Sequence, residues 1–209
     1  MPTNPPTIHW THQGQPQQAL WRSESGASAP RRVEGADDTL AADTAYRMAC
    51  EGTGLLWQGD FQNARHLLQA LMRRADKKPR KAAAKASQKL AAATAAEAFH
   101  LHRQAQAQRA RVLASVLIPL EGDYSIALRR APDWRQACTE AWGPATGERS
   151  VATLRELLGL VGAHEWRKKG VEIPALGAPP LNRIHPHYGV FSPVPVSYTH
   201  LTLPTTPYV

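Results

Sequence analysis

Residues 42–76 read ADTAYRMACEGTGLLWQGDFQNARHLLQALMRRAD, and they hold the clearest periodicity in the chain. Asp60 is a good helix N-cap, and apolar residues follow it at spacings of three and four: Phe61, Ala64, Leu67, Leu68 and Leu71. The pattern predicts an amphipathic helix that begins after Asp60. An earlier helix, from about Ala41 or Asp43, would weaken at Gly52 and Gly54 and pair with the second as a helical hairpin. We interpret Gly52-Thr53-Gly54 as a helix break rather than a nucleotide-binding loop, because no strand is predicted before it.

The sequence on the C-terminal side continues the helical pattern. Further helices are predicted from about residue 95 to just before Pro119, after Asp133, and after Ser150 with a basic last turn before Gly170. Residues 124–128 alternate enough for a short strand. On the N-terminal side, residues 1–38 are rich in Pro, Gln and Ser without apolar periodicity, which is typical of irregular structure.

Together these patterns predict a mainly α fold, a helical domain with one or two short strands and disordered termini. The predicted organisation has four parts: a disordered N-terminus at 1–38, the helical domain at 39–176 with a basic arm at 77–96, a linker at 177–195, and a tail at 196–209. The arm is rich in Ala and Lys, so it favours helix but offers little large apolar surface to bury.

Positive charge is concentrated in one part of the chain. Residues 65–111 contain twelve basic residues against two acidic ones, a local charge of +10, whereas the whole chain carries +8. Such a segment attracts phosphate groups, so Lys77, Lys78, Arg80 and Lys81 are candidate contacts for RNA or the ribosome. A solvated Lys/Ala-rich linker that binds nothing is the open alternative. No aromatic residue lies between Arg65 and Glu97, so base stacking is not expected there.

Other classes of site receive little support. No apolar run approaches the roughly 20 residues that cross a bilayer, and the N-terminus lacks a secretory signal, so we expect a cytoplasmic protein with no membrane partner. His185 and His187 could contribute to a metal site, but two histidines without a third ligand nearby do not make one. No catalytic residue and no metal ligand are predicted.

The last fourteen residues, VSYTHLTLPTTPYV at 196–209, resemble a translated sequencing adapter. They carry no charge and contain two prolines, and prolines suit a central strand poorly. The resemblance implies that the natural part of this chain stops near Pro195, and that this part is an N-terminal piece of a longer protein. An ordinary C-terminal tail is the alternative.

A second resemblance is carried by three segments: RIHPHYGVFSP at 183–193, YSIALRRAPD at 124–133 and LRELLGLVGAHEWRKKGVEIPALG at 154–177. They resemble the N-terminal accessory region of a bacterial class I S-adenosylmethionine-dependent methyltransferase family. In that family a mostly helical domain precedes a Rossmann-like cofactor domain, and a segment like 183–193 joins the two.

This resemblance implies a methyltransferase as the parent, with S-adenosylmethionine as its cofactor and an unidentified methyl acceptor. The parent's Tyr188, Gly189, Val190 and Phe191 would then lie along the approach to the cofactor cleft. The cofactor loop and catalytic residues would follow this chain, so the fragment is expected to be inactive. The alternative function is a basic helical RNA- or ribosome-binding module without enzymatic activity.

Overall fold

Six strands of the computed structural model form one mixed sheet, and the prediction of a mainly α fold is therefore wrong. The structure describes residues 6–12, 14–77 and 94–189, of which about 42% are helical and 22% are in strands. The strands of the sheet are β1 Thr7–His12, β2 Gln15–Arg22, β3 Arg32–Ala36, β4 Thr53–Trp57, β5 Val116–Leu120 and β6 Ser150–Thr153. The helices are α1 Ala42–Cys50, α2 Phe61–Asp76, α3 Ala95–Leu113, α4 Arg135–Trp142 and α5 Leu154–Lys169. A small hairpin, β7 Val171–Glu172 and β8 Arg183–Ile184, follows α5.

The sheet has the order β1-β2-β6-β5-β4-β3 and is nearly closed into a barrel, with β1 approaching β3. Strands β3, β4 and β5 are parallel, β6 is antiparallel to β5, and β2 is parallel to β6. Helix α1 makes the crossover from β3 to β4, as parallel neighbours require. The described part of the chain is therefore an α/β fold.

The sheet buries both of its faces, which explains the continuous apolar runs in its central strands. In β4, Leu55 and Trp57 belong to the large core shared with the helices, whereas Leu56 joins a smaller core. The smaller core contains residues from five strands: Ile8, Ala19, Trp21, Leu56, Leu117 and Val151. Successive residues of a strand point to opposite faces, so this second core lies on the face away from the helices.

The predicted helical hairpin is wrong in one respect: both helices form, but β4 lies between them. The segment TGLLW is completely buried, and a short run of that kind cannot be assigned to strand or helix by periodicity. Gly54 is required by close packing in the strand, because a Cβ there would sit 2.8 Å from Leu117 Cδ1 and 3.0 Å from Pro30 Cγ.

The predicted disorder of residues 1–38 is also wrong, because residues 7–36 provide β1, β2 and β3. Ile8 and Trp21 are 1% and 5% exposed and pack in the smaller core. Strand β2 pairs with β6, about 130 residues later, with Leu20 opposite Ser150. Such a long-range partner leaves no local signal in a sequence rich in Pro and Gln.

The helix boundaries agree with the sequence in part. Asp60 caps α2 by accepting from Gln62 N at 2.9 Å, and α5 ends before Gly170, both as predicted. Helix α3 ends at Leu113, well before Pro119, because residues 116–120 form β5 instead. The strand predicted at 124–128 is absent from the described structure, and Tyr124 has a φ of 68° there.

Candidate functional site

Two residues of the predicted junction site lie within the described structure, Tyr188 and Gly189. Tyr188 is half-buried and packs against the large core, and its pKa is raised, mainly by burial and also by the nearby carboxylates of Glu24 and Glu156. Gly189 is exposed and has a φ of 79°. Val190 and Phe191 lie outside the described residues.

The segment before Tyr188 is bound to the end of α5. The imidazole Nδ1 of His185 donates to the carbonyl oxygen of Arg167 at 2.6 Å, and Arg183 Nη1 donates to that of Lys169 at 3.1 Å. These two bonds satisfy carbonyls that a helix end leaves without partners. His185 therefore has a capping role, and within the described residues no three His, Cys, Asp or Glu side chains come together as a metal site would require.

Of the basic candidates, the structure describes only Lys77, which is exposed just after α2. Lys78, Arg80 and Lys81 lie outside the described residues. Elsewhere in the basic span, some charges are compensated: Arg74 pairs with Asp43 at 2.7 Å, and Arg109 makes a two-pronged pair with Asp76 at 2.6 and 3.1 Å. The second pair joins the end of α2 to α3.

Helix α3 has no buried side chain between residues 96 and 108, which make up about its first two-thirds. Thr94 and Glu97 form a complete capping box at its start. Phe99 is 57% exposed and carries the guanidinium of Arg103 5.8 Å from its ring centroid. His100, Gln104, Gln108 and Arg111 are exposed at spacings of four, four and three, so they share one face of the helix. This polar face has one basic residue, Arg111, at its C-terminal end.

Arg111 lines a cavity of about 580 Å³ that lies at one end of the strands of the sheet. The cavity lies where β4 and β5 begin and where β2 and β6 end. Its polar lining includes Thr53, Ser115 and Thr153 from these strand ends, and its apolar lining includes Ala49 of α1, Ala110 of α3 and Ala114 just after α3. Gly52, Thr53 and Gly54, interpreted from the sequence as a helix break, form part of this wall and start β4.

The loop of residues 23–30 forms one side of the cavity and is tied to α5 by Glu156. The Glu156 carboxylate oxygen Oε1 accepts from the backbone N–H groups of Glu24 and Ser25 at 2.5 and 3.3 Å and from the Ser23 hydroxyl at 3.4 Å. Trp21 Nε1 donates to the Ala27 carbonyl at 2.7 Å, which joins the same loop to the end of β2. Sequence reasoning missed this site because four separate segments build it.

At the opposite end of the parallel strands, a buried aspartate pairs with two exposed arginines. The Asp60 side chain is fully buried, and its Oδ2 accepts from Arg130 Nε at 2.6 Å and Arg129 Nε at 3.1 Å. The hydrogen bond from Arg130, together with those from the Gln62 N–H and Arg129, lowers the pKa of Asp60 to about 2 although burial opposes the shift. The Phe61 N–H also donates to the Arg129 carbonyl at 2.9 Å, so the cluster fixes the loop before α4 to the start of α2.

Two further clusters join α4 to its neighbours. His164 of α5 contacts Glu140 of α4 through Nδ1 at 2.8 Å, and this hydrogen bond is the main reason that the pKa of Glu140 is lowered. Arg22 lies over the rings of Tyr124 and Trp142 at 5.0 and 5.1 Å. Burial raises the pKa of Cys138 to about 11, which makes this thiol a poor nucleophile.

Comparison with known proteins gives no family: no family model, no curated protein and no solved structure matches the chain. Within the described residues, no helix is long and apolar enough to cross a membrane. Any functional statement therefore depends on the residues described above.

Proposed function

We propose that this chain is the N-terminal accessory domain of a class I S-adenosylmethionine-dependent methyltransferase. The observation that carries the proposal is the anchoring of residues 183–188, the start of the segment that resembles the family's interdomain junction. His185 and Arg183 cap the end of α5, and Tyr188 packs against the core. A junction held in this way limits the orientations available to a following domain, whereas a free linker does not.

In this proposal the domain supplies orientation and acceptor binding, and the cofactor chemistry belongs to residues after Pro195. S-adenosylmethionine supplies the activated methyl group when it is bound there. The anchored junction would present Tyr188 and Gly189 toward that cleft, with Val190 and Phe191 following. Rigid positioning of two domains raises the rate of a bimolecular step because less orientational freedom is lost at reaction.

The test uses the complete reading frame that contains this segment, expressed with the sequence that follows it. Transfer of labelled methyl groups from S-adenosylmethionine to total RNA and protein is measured for the full protein and for the variant Arg183→Ala/His185→Ala. We expect a lower kcat with unchanged cofactor affinity, because the variant loosens the junction only. Lys168→Ala, an exposed change in the same turn of α5, is the matched control.

Two results would contradict the proposal. A full-length protein without methyl transfer to either class of acceptor removes the enzyme assignment. Micromolar binding of S-adenosylmethionine to residues 1–195 alone, measured by calorimetry, would put the cofactor site in this domain and not in the domain that follows it.

A second candidate function is RNA binding, favoured by the exposed face of α3 and by the charge of +10 across residues 65–111. Each phosphate that a basic residue neutralises releases counterions, so the affinity for single-stranded RNA should fall steeply with salt, with a log–log slope of about −0.7 per contact. Reversing Lys77, Lys78, Arg80 and Lys81 should abolish retention of RNA on filters at low salt. The matched control reverses four basic residues outside the span: Arg31, Arg149, Lys168 and Lys169. An unmodified chain that ignores RNA at low ionic strength would refute this function.

A further inference from the structure

The cavity between α1, α3, α5 and the loop of residues 23–30 has a lining that excludes two common ligand classes. None of its described lining residues is Leu, Ile, Val, Met or Phe, and the apolar surface comes from Ala, Pro, Gly and Trp21. Lipid chains are usually bound among large aliphatic side chains, so this lining does not suit them. The one carboxylate among those residues, with no His or Cys, does not suit a metal ion either.

The lining suits a compact ring with polar edges. Small side chains at Ala49, Ala110 and Ala114 leave space for a flat group, and a volume of about 580 Å³ is within the range of small-molecule sites. The hydroxyl of Ser115 donates to the Val112 carbonyl at 2.7 Å, so its oxygen is left as an acceptor. An acceptor among apolar walls matches the exocyclic amino group or ring N–H of a nucleobase.

The charged residues of the lining favour an anion. Arg111 and Arg155 both line the cavity and are exposed, and Arg155 has no hydrogen-bond or ion-pair partner among the described residues. Glu156 is the one acidic residue of the described lining, and its Oε1 is engaged by the backbone N–H groups of Glu24 and Ser25. Two guanidinium groups and one carboxylate leave this lining with a net charge of +1. Two guanidinium groups can hold the oxygens of one phosphate group.

We propose that this cavity binds a nucleoside monophosphate unit, with the base among Ala49, Ala110 and Ala114 and the phosphate at Arg111 and Arg155. The unit is either a free nucleotide or one nucleotide of an RNA strand that runs along α3. As a site for a free nucleotide it stands without either function proposed above, whereas as a site for one nucleotide of RNA it rests on the second of them.

The experiment titrates the full chain with three probes by calorimetry: adenosine monophosphate, adenosine, and a five-nucleotide RNA carrying a 5′-phosphate. Arg155→Glu should weaken binding of the monophosphate by about tenfold or more, because it replaces a charge-assisted contact by repulsion. The variant should remain folded, since an acidic residue in the first turn of α5 suits the helix dipole. Arg65→Glu on α2, which does not line the cavity, is the matched charge control.

A second pair of variants tests occupancy of the cavity without a change of charge. Ala110→Phe fills the apolar part and should abolish binding, whereas Ala107→Phe, exposed on the same helix and outside the lining, should leave it unchanged. Adenosine should bind more weakly than its monophosphate, because it lacks the group that meets the arginines.

Each outcome bears on the proposal. Binding of the monophosphate that responds to Arg155→Glu and Ala110→Phe supports a free nucleotide, and preferential binding of the oligonucleotide with the same responses supports a nucleotide within RNA. The proposal is overturned if neither adenosine monophosphate nor the oligonucleotide binds. It is also overturned if all four variants change the binding equally. The methyltransferase proposal is tested separately by methyl transfer, so the two can fail independently.

Discussion

Replacing Ile8 by Ala tests whether the N-terminal segment is part of the folded domain. Ile8 is 1% exposed and packs in the smaller core with Trp21, Leu117 and Val151. The change removes apolar side-chain groups and leaves a cavity, and such substitutions cost about 2–5 kcal/mol. Strand β1 ends the sheet order and has room to relax, so we expect the lower half, about 2–3 kcal/mol.

The measurement is urea unfolding followed by circular dichroism, with thermal unfolding as a second readout. For a chain of this size the expected loss corresponds to a fall in Tm of roughly 5–10 °C. The matched control is Thr11→Ala on the same strand, whose exposed side chain should change stability by no more than about 0.5 kcal/mol. Equal, small effects of both variants would refute the assignment of residues 7–12 to the sheet and restore the disordered N-terminus.

Three further predictions concern the loops, an ion pair and the tail. Gly122→Ala should destabilise the fold by about 1–3 kcal/mol, because the added Cβ would overlap the Gly147 carbonyl. Gly159→Ala should stabilise it by about 0.5–1 kcal/mol, because an added Cβ at this helical position meets no other atom within 4 Å; the urea midpoints of both variants test these expectations. The pKa of Asp60 is depressed to about 2, so ionised Asp60 stabilises the fold above its unfolded-state pKa near 4, and this contribution is lost as pH falls from about 4 toward 2. Asp60→Asn should therefore flatten the dependence of the urea midpoint on pH in that window. An unchanged dependence would contradict a stabilising role for the ion pairs of Asp60. Deleting residues 196–209 should leave the free energy of unfolding within about 0.5 kcal/mol of the parent, and a larger loss would show that the segment packs against the domain.

The cavity shows how a functional candidate can be distributed beyond the reach of sequence reading. Its walls come from the loop after β2, the ends of α1 and α3, the starts of β4 and β5 and the β6-α5 junction. Only Gly52-Thr53-Gly54 drew attention in the sequence, and the absence of a predicted strand led to its dismissal. The structure agrees that no strand precedes this segment, because α1 comes before it and β4 begins within it. Its place in the cavity wall depends instead on three other segments that are distant in the sequence.

The sequence by itself determined those features that depend on neighbouring residues. The capping of α2 by Asp60, the end of α1 before Gly52, and the end of α5 before Gly170 follow from side chains and glycines within a few residues of each boundary. The concentration of charge in residues 65–111 is likewise a property of the sequence alone.

The tertiary structure decided the fold class. Strand β1 pairs with the neighbouring β2, and β3 pairs with β4 about 20 residues later. The hairpin of β1 and β2 joins the main sheet through β6, about 130 residues along the chain, as Leu20 opposite Ser150 shows. TGLLW and VLIPL became strands rather than helix ends because both faces of the sheet are buried, by helices on one side and by the opposite strands on the other. Burial of this kind removes the alternation that marks a strand in sequence, so only the assembled sheet could reveal it.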